Sequence, residues 1–336
     1  MEQQKVNRRE FLGDSAKVAA GVALGLGTLQ VVRAGNPANA DTSKIRSYNE
    51  TMEYRRQGSM DVMVSAVCLG GHSRSDVKER TEIVSRCIDA GINYIDACCH
   101  HEVCRDAQAL KGRRDKMYLA LSHCEKEVRN EQYQTAKQLL ASLDSLLKDS
   151  GEEYTDLWRI TCYEPGGRHT FNTSCELVEA LETAKKQGKA RAIGFSSHDR
   201  DWIKFMIEYF PQVDVVCFPF FQMSKQAPSH SLFESLKKHD VGAFGIKPFG
   251  AGSLFRDDTQ ANTERARLAL RYILHTNTVV PIPGLNSLAE VDNAVQAINE
   301  RRELDAAEHA RLHQDGQRML AKLPPTYHWL KNWQSV

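Results

Sequence analysis

The sequence lacks an excess of charge of either sign. Its 336 residues include 44 Lys and Arg against 43 Asp and Glu, which gives a formal net charge of +1. A nucleic-acid-binding surface usually appears as a basic excess or a basic stripe, so we expect no nucleic-acid partner. Without the first forty residues the chain would carry 39 basic and 40 acidic residues, and this expectation would not change.

Long uninterrupted apolar runs are also missing. The best candidate, residues 16–32, contains three glycines and barely reaches the length that crosses a bilayer. It follows Arg8 and Arg9 and precedes the small-residue segment 38–40, an order typical of a twin-arginine export signal. We therefore predict a signal in residues 1–40 that engages twin-arginine export machinery. This implies a periplasmic or otherwise extracytoplasmic location and no stable membrane span after the signal is removed.

Apolar segments of strand length alternate with amphipathic segments of helix length along the rest of the chain. This alternation predicts an α/β protein with a parallel sheet. No GxGxxG pattern follows the first strand, which argues against an open doubly wound sheet. We predict a single-domain (β/α)₈ TIM barrel over residues 52–323. Its eight predicted strands are residues 66–70, 93–98, 117–122, 156–162, 190–196, 213–218, 241–246 and 279–282.

Further segments are predicted to flank these strands. Residues 41–51 are expected to be a linker, and residues 52–65 a hairpin that precedes the first barrel strand. A helix is predicted over residues 306–323. The aromatic C-terminal tail, residues 324–336, is expected to pack into the core, with cover of a barrel end or an oligomer contact as alternatives.

Six segments give the chain a resemblance to the aldo/keto reductase family over residues 52–300. They are VCLGG at 67–71, GINYIDA at 91–97, DLWRI at 156–160, GKARAIGFSSH at 188–198, KPFGAGSL at 247–254 and IPGLNSLAEVDNA at 282–294. The resemblance implies an oxidoreductase barrel that reduces a carbonyl with hydride from NADPH. It also implies a tyrosine acid polarised by a lysine, with an aspartate and a histidine beside it.

Only one of these four positions is retained. Asp96 matches the family aspartate, whereas His101, or His100 if the loop is shorter, falls where the tyrosine is expected. Ser122 stands at the lysine position and Thr161 at the histidine position. We take Asp96, His101, Ser122 and Thr161 as candidate catalytic residues and expect altered chemistry. The alternative is an NAD(P)H-dependent carbonyl reductase in which His101 is the acid.

The positions that would hold a nicotinamide cofactor are partly retained. The resemblance places a serine at the nicotinamide amide, and the glycine-rich segment near residue 250 could wrap a pyrophosphate because glycines allow close backbone approach. The cofactor would be NAD(P), and the partner a small-molecule substrate or a redox partner. The candidate cofactor-binding residues are Ser196, Ser197, Gly250, Gly252, Ser253, Leu254 and Gly284.

Thiols and imidazoles are concentrated where the predicted strands end. In a (β/α)₈ barrel the carboxyl ends of the strands build the active site, and such side chains ligate Zn, Cu or Fe where three or four converge. We therefore predict a candidate metal site. The alternatives are disulfides, such as Cys124–Cys162 or Cys99–Cys104, or ordinary packing, and a non-enzymatic metal-binding or redox-sensing barrel is a further possibility. The candidate ligands are His72, Cys98, Cys99, His100, His101, His123, Cys124 and Cys162.

Strand alternation adds an expectation about the barrel interior. Cys98 shares the inward parity of Tyr94 and Asp96, whereas Cys99 has the opposite parity. If Thr161 faces inward, Arg159 does too, and a guanidinium inside a barrel needs a partner. We therefore predict an ion pair between Arg159 and Asp96.

Overall fold

A computed structural model describes residues 41–73, 75–162, 169–255, 261–276, 278–300 and 303–336. The predicted signal in residues 1–40 lies outside these ranges. Within them the strands are β1 (Tyr54–Arg56), β2 (Met63–Ser65), β3 (Leu69–Gly70), β4 (Tyr94–Ala97), β5 (Tyr118–Leu121), β6 (Thr155–Thr161), β7 (Ala190–Ser196), β8 (Val215–Pro219), β9 (Gly242–Ile246) and β10 (Val280–Pro281). The α-helices are α1 (Val77–Asp89), α2 (His100–Ala109), α3 (Ala136–Ser150), α4 (Phe171–Lys186), α5 (Arg200–Tyr209), α6 (Leu232–His239), α7 (Asn262–His275), α8 (Leu288–Asn299) and α9 (Ala306–Ala321).

The eight strands β3 to β10 form one parallel sheet in sequential order. The first and last strands are joined by backbone hydrogen bonds from Cys68 N–H to the Pro281 carbonyl (3.0 Å) and from Gly70 N–H to the Pro283 carbonyl (2.8 Å). These bonds close the sheet into the predicted (β/α)₈ barrel. All eight predicted strands are confirmed, although the first and last are only two residues long.

Local sequence signals set where the helices begin and end. Helix α1 starts at a capping box of Asp76 and Glu79, and α3 starts at one formed by Thr135 and Gln138. These side chains satisfy the backbone N–H groups of the first turn. Helix α3 ends at Gly151, whose φ of 73° belongs to the left-handed region that glycine adopts without strain.

Side chains alternate between the barrel interior and the layer under the helices. Tyr94 and Leu157 lie in the interior cluster, where Tyr94 stacks on Phe244 at a ring distance of 4.5 Å. Their chain neighbours Ile95 and Trp158 pack beneath the helices. Because side chains alternate along a strand, the residue two positions after Tyr94 in β4 and the residue two positions after Leu157 in β6 also point into the barrel. They lie nearer to its carboxyl end.

The amino-terminal end of the barrel is closed by the predicted hairpin, which β1 and β2 form as an antiparallel pair. Residues 41–51 are not a free linker. Ile45 is buried in a core cluster, and Arg46 donates hydrogen bonds to the Met117 carbonyl (2.7 Å) and to Asp156 (3.1 Å). These contacts fasten the segment to the barrel, a packing that its polar composition did not indicate.

The C-terminal tail packs against the opposite end, as expected. A 3₁₀ segment runs from Pro325 to Gln334, with Leu330 and Trp333 buried. The Trp333 indole N–H donates to the His198 carbonyl at 3.2 Å, and the backbone of Val336 hydrogen-bonds to Lys225. Across the described ranges, no helix is both long and apolar enough to cross a bilayer.

Candidate active site at the carboxyl end of the barrel

A cavity of about 540 Å³ opens at the carboxyl ends of the strands. Residues at the carboxyl ends of six strands line it, namely those of β3, β4, β6, β7, β9 and β10. The C-terminal tail contributes the Tyr327 ring to the wall. The polar lining includes His72, Asp96, Cys98, Arg159, Thr161, Ser196 and Lys247.

The predicted ion pair between Arg159 and Asp96 is confirmed. The guanidinium donates to both carboxylate oxygens, from Nε at 2.9 Å and from the second amino group at 2.6 Å, and both side chains are buried. Its remaining amino group donates to Ser196 Oγ at 2.9 Å. Burial raises the pKa of Asp96, and Arg159 acts in the opposite direction. The family aspartate is therefore committed to a structural pair.

The Cys98 thiol lies beside this ion pair. The thiol of Cys124 and the imidazole of His72 are close enough to shift its pKa. The Cys124 thiol lowers the pKa of Cys98 well below its usual value; burial opposes this, and His72 and Arg159 add to the lowering. Thiolates rather than thiols act as nucleophiles, and basic neighbours are what favours them.

His72 is itself held by a carboxylate. Its Nδ1 lies 2.6 Å from Glu102 Oε1, and the other Glu102 oxygen accepts from the Cys98 backbone N–H at 3.0 Å. The neighbouring side chains of Cys98 and Glu102 raise the pKa of His72. The imidazole is therefore charged at neutral pH, beside the thiol whose ionised form it stabilises.

A chain of hydroxyl groups leads from Cys98 to a buried carboxylate. Thr161 Oγ1 lies 3.9 Å from Cys98 Sγ and 2.6 Å from Ser122 Oγ, which donates to Glu127 Oε2 at 2.6 Å. Because the single hydroxyl hydrogen of Ser122 goes to Glu127, Thr161 must donate to Ser122. A chain oriented in this way can carry a proton from the thiol to Glu127.

The lysine and histidine positions of the family therefore hold a different polar network. Ser122 and Thr161 both contact Glu127, which also accepts from the backbone N–H groups of Thr161 (2.7 Å) and His123 (2.8 Å). Burial raises the pKa of Glu127 to about 7, although these hydrogen bonds act to lower it. The predicted residues Ser122 and Thr161 do meet, with a carboxylate that the sequence did not single out.

The predicted cluster of thiols and imidazoles does not form a single group in the structure. His72, Cys98 and Cys162 line the cavity, whereas Cys99, His100, His101, His123 and Cys124 do not. The reason is that α2 begins at residue 100, so the chain turns outward directly after Cys98. All nine cysteines carry free thiols, so neither of the two disulfides named as alternatives is formed.

His101 is not placed to protonate a substrate in the cavity. It lies exposed in the first turn of α2, and its Nδ1 is 3.2 Å from Cys99 Sγ. Among the described residues, one group of three potential metal ligands has its atoms within 4.8 Å of one another, namely Cys99, His101 and Glu125. This group lies outside the cavity, and two of its members are exposed, so the expected metal centre at the barrel mouth is not assembled.

The other two histidines have local partners away from the cavity. His100 Nε2 lies 3.1 Å from Asp149, and His123 Nδ1 lies 3.1 Å from Ser142 Oγ. His123 is buried, and burial lowers its pKa. Cys162 lines the cavity with a buried thiol whose pKa is raised by burial, although Arg159 acts in the opposite direction.

The candidate cofactor-binding residues fall into two groups. Ser196, Ser197, Gly252 and Gly284 line the cavity. Gly252 has a φ of 81°, and a Cβ there would meet no other atom within 4 Å, so its bare backbone faces open space. The Ser253 hydroxyl is buried without a hydrogen-bond partner in the described part of the chain. These features fit a nicotinamide dinucleotide.

Gly250 and Leu254 serve packing instead. A Cβ at Gly250 would collide with Met319, and Leu254 is buried in the core cluster beneath the helices. Both residues belong to the glycine-rich segment that was expected to wrap a pyrophosphate, but neither presents an exposed surface to a ligand.

Sequence reasoning missed Glu102 and Glu127, which position His72 and Ser122. Both lie beyond a strand end, on helix α2 or in the loop after β5, where strand parity carries no information. A local sign was present for Glu102, since it is a carboxylate that follows Cys98 by four residues. No comparable sign marked Glu127.

Solved structures with similar folds are aldo/keto reductases. The holo form of aldo-keto reductase AKR11C1 from Bacillus halodurans matches with a TM-score of 0.64 at 22% identity, covering 79% of this chain and 96% of that one. The aldo-keto reductase from Klebsiella pneumoniae in complex with NADPH matches with a TM-score of 0.62 at 18% identity, covering 78% and 94%. The ALDO/KETO reductase from Brucella melitensis matches with a TM-score of 0.57 at 17% identity, covering 78% and 97%.

The family model for the aldo/keto reductase family matches residues 66–267, which is more than half of the chain. The match extends over strands β3 to β9 and their helices, and therefore includes the strand ends that build most of the cavity. The chain belongs to the aldo/keto reductase family of oxidoreductases.

Proposed function

We propose that this chain is an exported oxidoreductase in which the reacting group is the Cys98 thiolate rather than a tyrosine hydroxyl. The observation that carries the proposal is the placement of Cys98 in the wall of the barrel-mouth cavity, which His72 and Arg159 also line. The loop that would supply the family tyrosine contains none. A small-molecule substrate or redox partner would reach the thiolate through the cavity.

Each neighbour of Cys98 has a distinct part in this chemistry. His72 and Arg159 stabilise the thiolate by their charge, and Asp96 holds Arg159 in place through two hydrogen bonds. Thr161 Oγ1 would accept the thiol proton, and the Thr161 hydroxyl would pass its own proton on to Ser122. The site thus favours a charged nucleophile.

Thiol-selective alkylation tests the proposal directly. At pH 6 we expect iodoacetamide to modify Cys98 at least about tenfold faster than Cys104, because a lowered thiol pKa leaves far more thiolate at acidic pH. Burial raises the pKa of Cys104, and this residue, partly exposed like Cys98, serves as the internal reference. The rate at Cys98 should fall only when the pH drops through its lowered pKa. Peptide mass spectrometry from pH 5 to 9 measures each site.

The two cysteines should converge at alkaline pH, where both are ionised. Equal rates of modification at pH 6 would contradict the proposal, because they would mean that the Cys98 thiol is not activated by its neighbours. A Cys98→Ser variant identifies the fast-reacting site without ambiguity.

We also propose that a nicotinamide dinucleotide binds in the same cavity, where it would supply or accept hydride. Ser196 and Gly284 would contact it along one wall, and the bare backbone of Gly252 would allow its pyrophosphate to approach closely. Binding of NADP by the Klebsiella pneumoniae structures of this fold supports the proposal. Fluorescence titration with NADH and NADPH measures the binding.

A matched pair of glycine variants separates cofactor contact from backbone strain. Gly252→Val is expected to weaken dinucleotide binding by at least about tenfold, because its side chain would fill the approach to the backbone. Gly151→Val is the control, since Gly151 has a similar φ of 73° and open space around it but lies far along the chain at the end of α3. If both variants bind the dinucleotide equally well, the contact at Gly252 is excluded.

Export is proposed from the arrangement of residues 1–40. Arg8 and Arg9 precede the apolar segment, and residues 38–40 supply small side chains for cleavage. Fractionation of cells that produce the full chain or its Arg8→Lys, Arg9→Lys form checks this, since retention of both forms in the cytoplasm would refute export.

A further inference from the structure

Two thiols from neighbouring strand ends meet at the wall of the cavity. Cys98 follows β4 and lines the cavity, whereas Cys124 begins the turn after β5 and is not among the lining residues. The Cys124 backbone N–H donates to the Cys98 carbonyl at 3.1 Å, which holds the two residues side by side. Cys124 therefore stands behind Cys98 as seen from the cavity.

The spacing of these residues suits a disulfide. A direct backbone hydrogen bond keeps two Cα atoms within roughly 7 Å, which is the separation that a disulfide spans. Both residues are fixed at their backbones by adjacent parallel strands, whose register pairs Asp96 with Ala120 and Ala97 with Leu121. The bond could therefore form with little movement of the barrel.

The two thiols differ in the way that a dithiol mechanism requires. Cys98 faces the cavity beside His72 and has a lowered pKa, whereas the neighbouring Cys98 thiol raises the pKa of Cys124, and burial adds to this. The first thiol is thus ready to attack an incoming molecule. The second stays protonated until the first has reacted.

We propose that Cys98 and Cys124 form a redox dithiol that reduces small disulfides entering the barrel-mouth cavity. The inference rests on the proposed function, because it uses Cys98 as the reacting group. It adds the resolving thiol, the reaction and the class of substrate.

The reaction proceeds by two thiol–disulfide exchanges. The Cys98 thiolate attacks one sulfur of the substrate disulfide, a bond forms between them, and the substrate S–S bond breaks to release one thiolate, which takes up a proton. Cys124 then loses its proton and attacks Cys98 Sγ, which releases the second substrate thiol. In sum, the two cysteines lose two electrons to the substrate and keep a Cys98–Cys124 disulfide; of the two protons that the substrate thiols gain, one comes from Cys124 and one from water. A second dithiol, such as dithiothreitol, reduces it again.

The charge of the cavity favours substrates that carry carboxylates. Asp96 neutralises Arg159 within the wall and Glu102 neutralises the protonated His72, whereas Arg129 and Lys247 add positive charge to the lining. Attraction of this kind raises the local concentration of anionic ligands and weakens with salt. Glutathione disulfide is therefore a better probe than the cationic disulfide cystamine.

The test uses the full reduced chain and glutathione disulfide, followed by acid quenching and peptide mapping. The wild-type protein is expected to release two glutathione molecules per chain and to form the Cys98–Cys124 disulfide. Cys124→Ser should stop at a glutathione adduct on Cys98, and Cys98→Ser should form neither product. Cys104→Ser, which removes a nearby thiol outside the pair, should behave as the wild type does.

The wild-type protein alone also provides a test that does not depend on a variant folding. Early quenching should trap a transient adduct on Cys98 and none on Cys124. A stable adduct on wild-type Cys98 would overturn the dithiol inference while leaving the proposed function standing, whereas failure of Cys98 to react with either reagent would defeat both. Reaction with cystamine should be at least several-fold slower at low salt, and equal rates would refute the charge preference.

Discussion

Replacement of Arg159 by Met is expected to destabilise the protein by about 3–5 kcal/mol, because it leaves the buried Asp96 carboxylate without its partner. Both side chains are buried, and the guanidinium makes two hydrogen bonds to the carboxylate and one to Ser196. Denaturant unfolding at neutral pH measures the loss.

Two further variants separate the buried pair from a general effect of losing an arginine. Arg191→Met removes a mostly exposed arginine, whose side chain is 56% accessible beside Asp156, and should cost no more than about 1 kcal/mol. Adding Asp96→Asn to Arg159→Met should recover part of the loss, because the unpaired charge disappears. If the loss of stability in the double variant equals the sum of the losses in Arg159→Met and Asp96→Asn, the two side chains are not coupled as the geometry requires.

Glu127→Gln is expected to change how the stability of the protein depends on pH. Burial raises the pKa of Glu127 to about 7 from 4.5, so the folded state binds this proton more tightly than the unfolded chain does. The resulting stabilisation is fully present below about pH 4.5 and is lost as the pH rises to about 7. A shift of this size corresponds to about 3 kcal/mol.

The variant should therefore gain about 3 kcal/mol relative to the wild type between pH 4.5 and 8, whatever fixed cost the amide introduces. Urea unfolding across this range measures the difference in free energy of unfolding between the two proteins. The contributions of the other titrating groups cancel in this difference. Glu125→Gln is the matched control, since Glu125 lies two residues away and is exposed. Parallel stability curves for Glu127→Gln and the wild type would show that the pKa of Glu127 is not raised in the folded protein.

Much of the fold could be predicted because it depends on patterns that repeat along the chain. Apolar strand segments such as residues 93–98 alternate with amphipathic helices, and the hairpin before β3 has its own turn. The parity of β4 and β6 also predicted the pairing of Asp96 with Arg159, since a charge inside a barrel must have a partner and few were available.

The candidate site could be predicted less well, because it depends on where the chain turns after each strand. The segment 98–101 offered four potential ligands in a row, but the start of α2 at His100 sends three of them away from the cavity. The contacts of residues 41–51 with the barrel were missed for a related reason. Polar composition does not reveal a contact such as that between Arg46 and Asp156, whose partner lies far away in the sequence.

The sequence by itself determined the barrel, the inward positions of Asp96, Cys98, Arg159 and Thr161, and the absence of the family tyrosine, because strand periodicity and residue identity are local properties. Only the tertiary structure decided that Cys124 lies behind Cys98 and that Glu127 is buried beneath Ser122 and Thr161. These relations join loops that follow different strands. These loops lie close together because the closed barrel brings separate strand ends within hydrogen-bonding distance at its mouth.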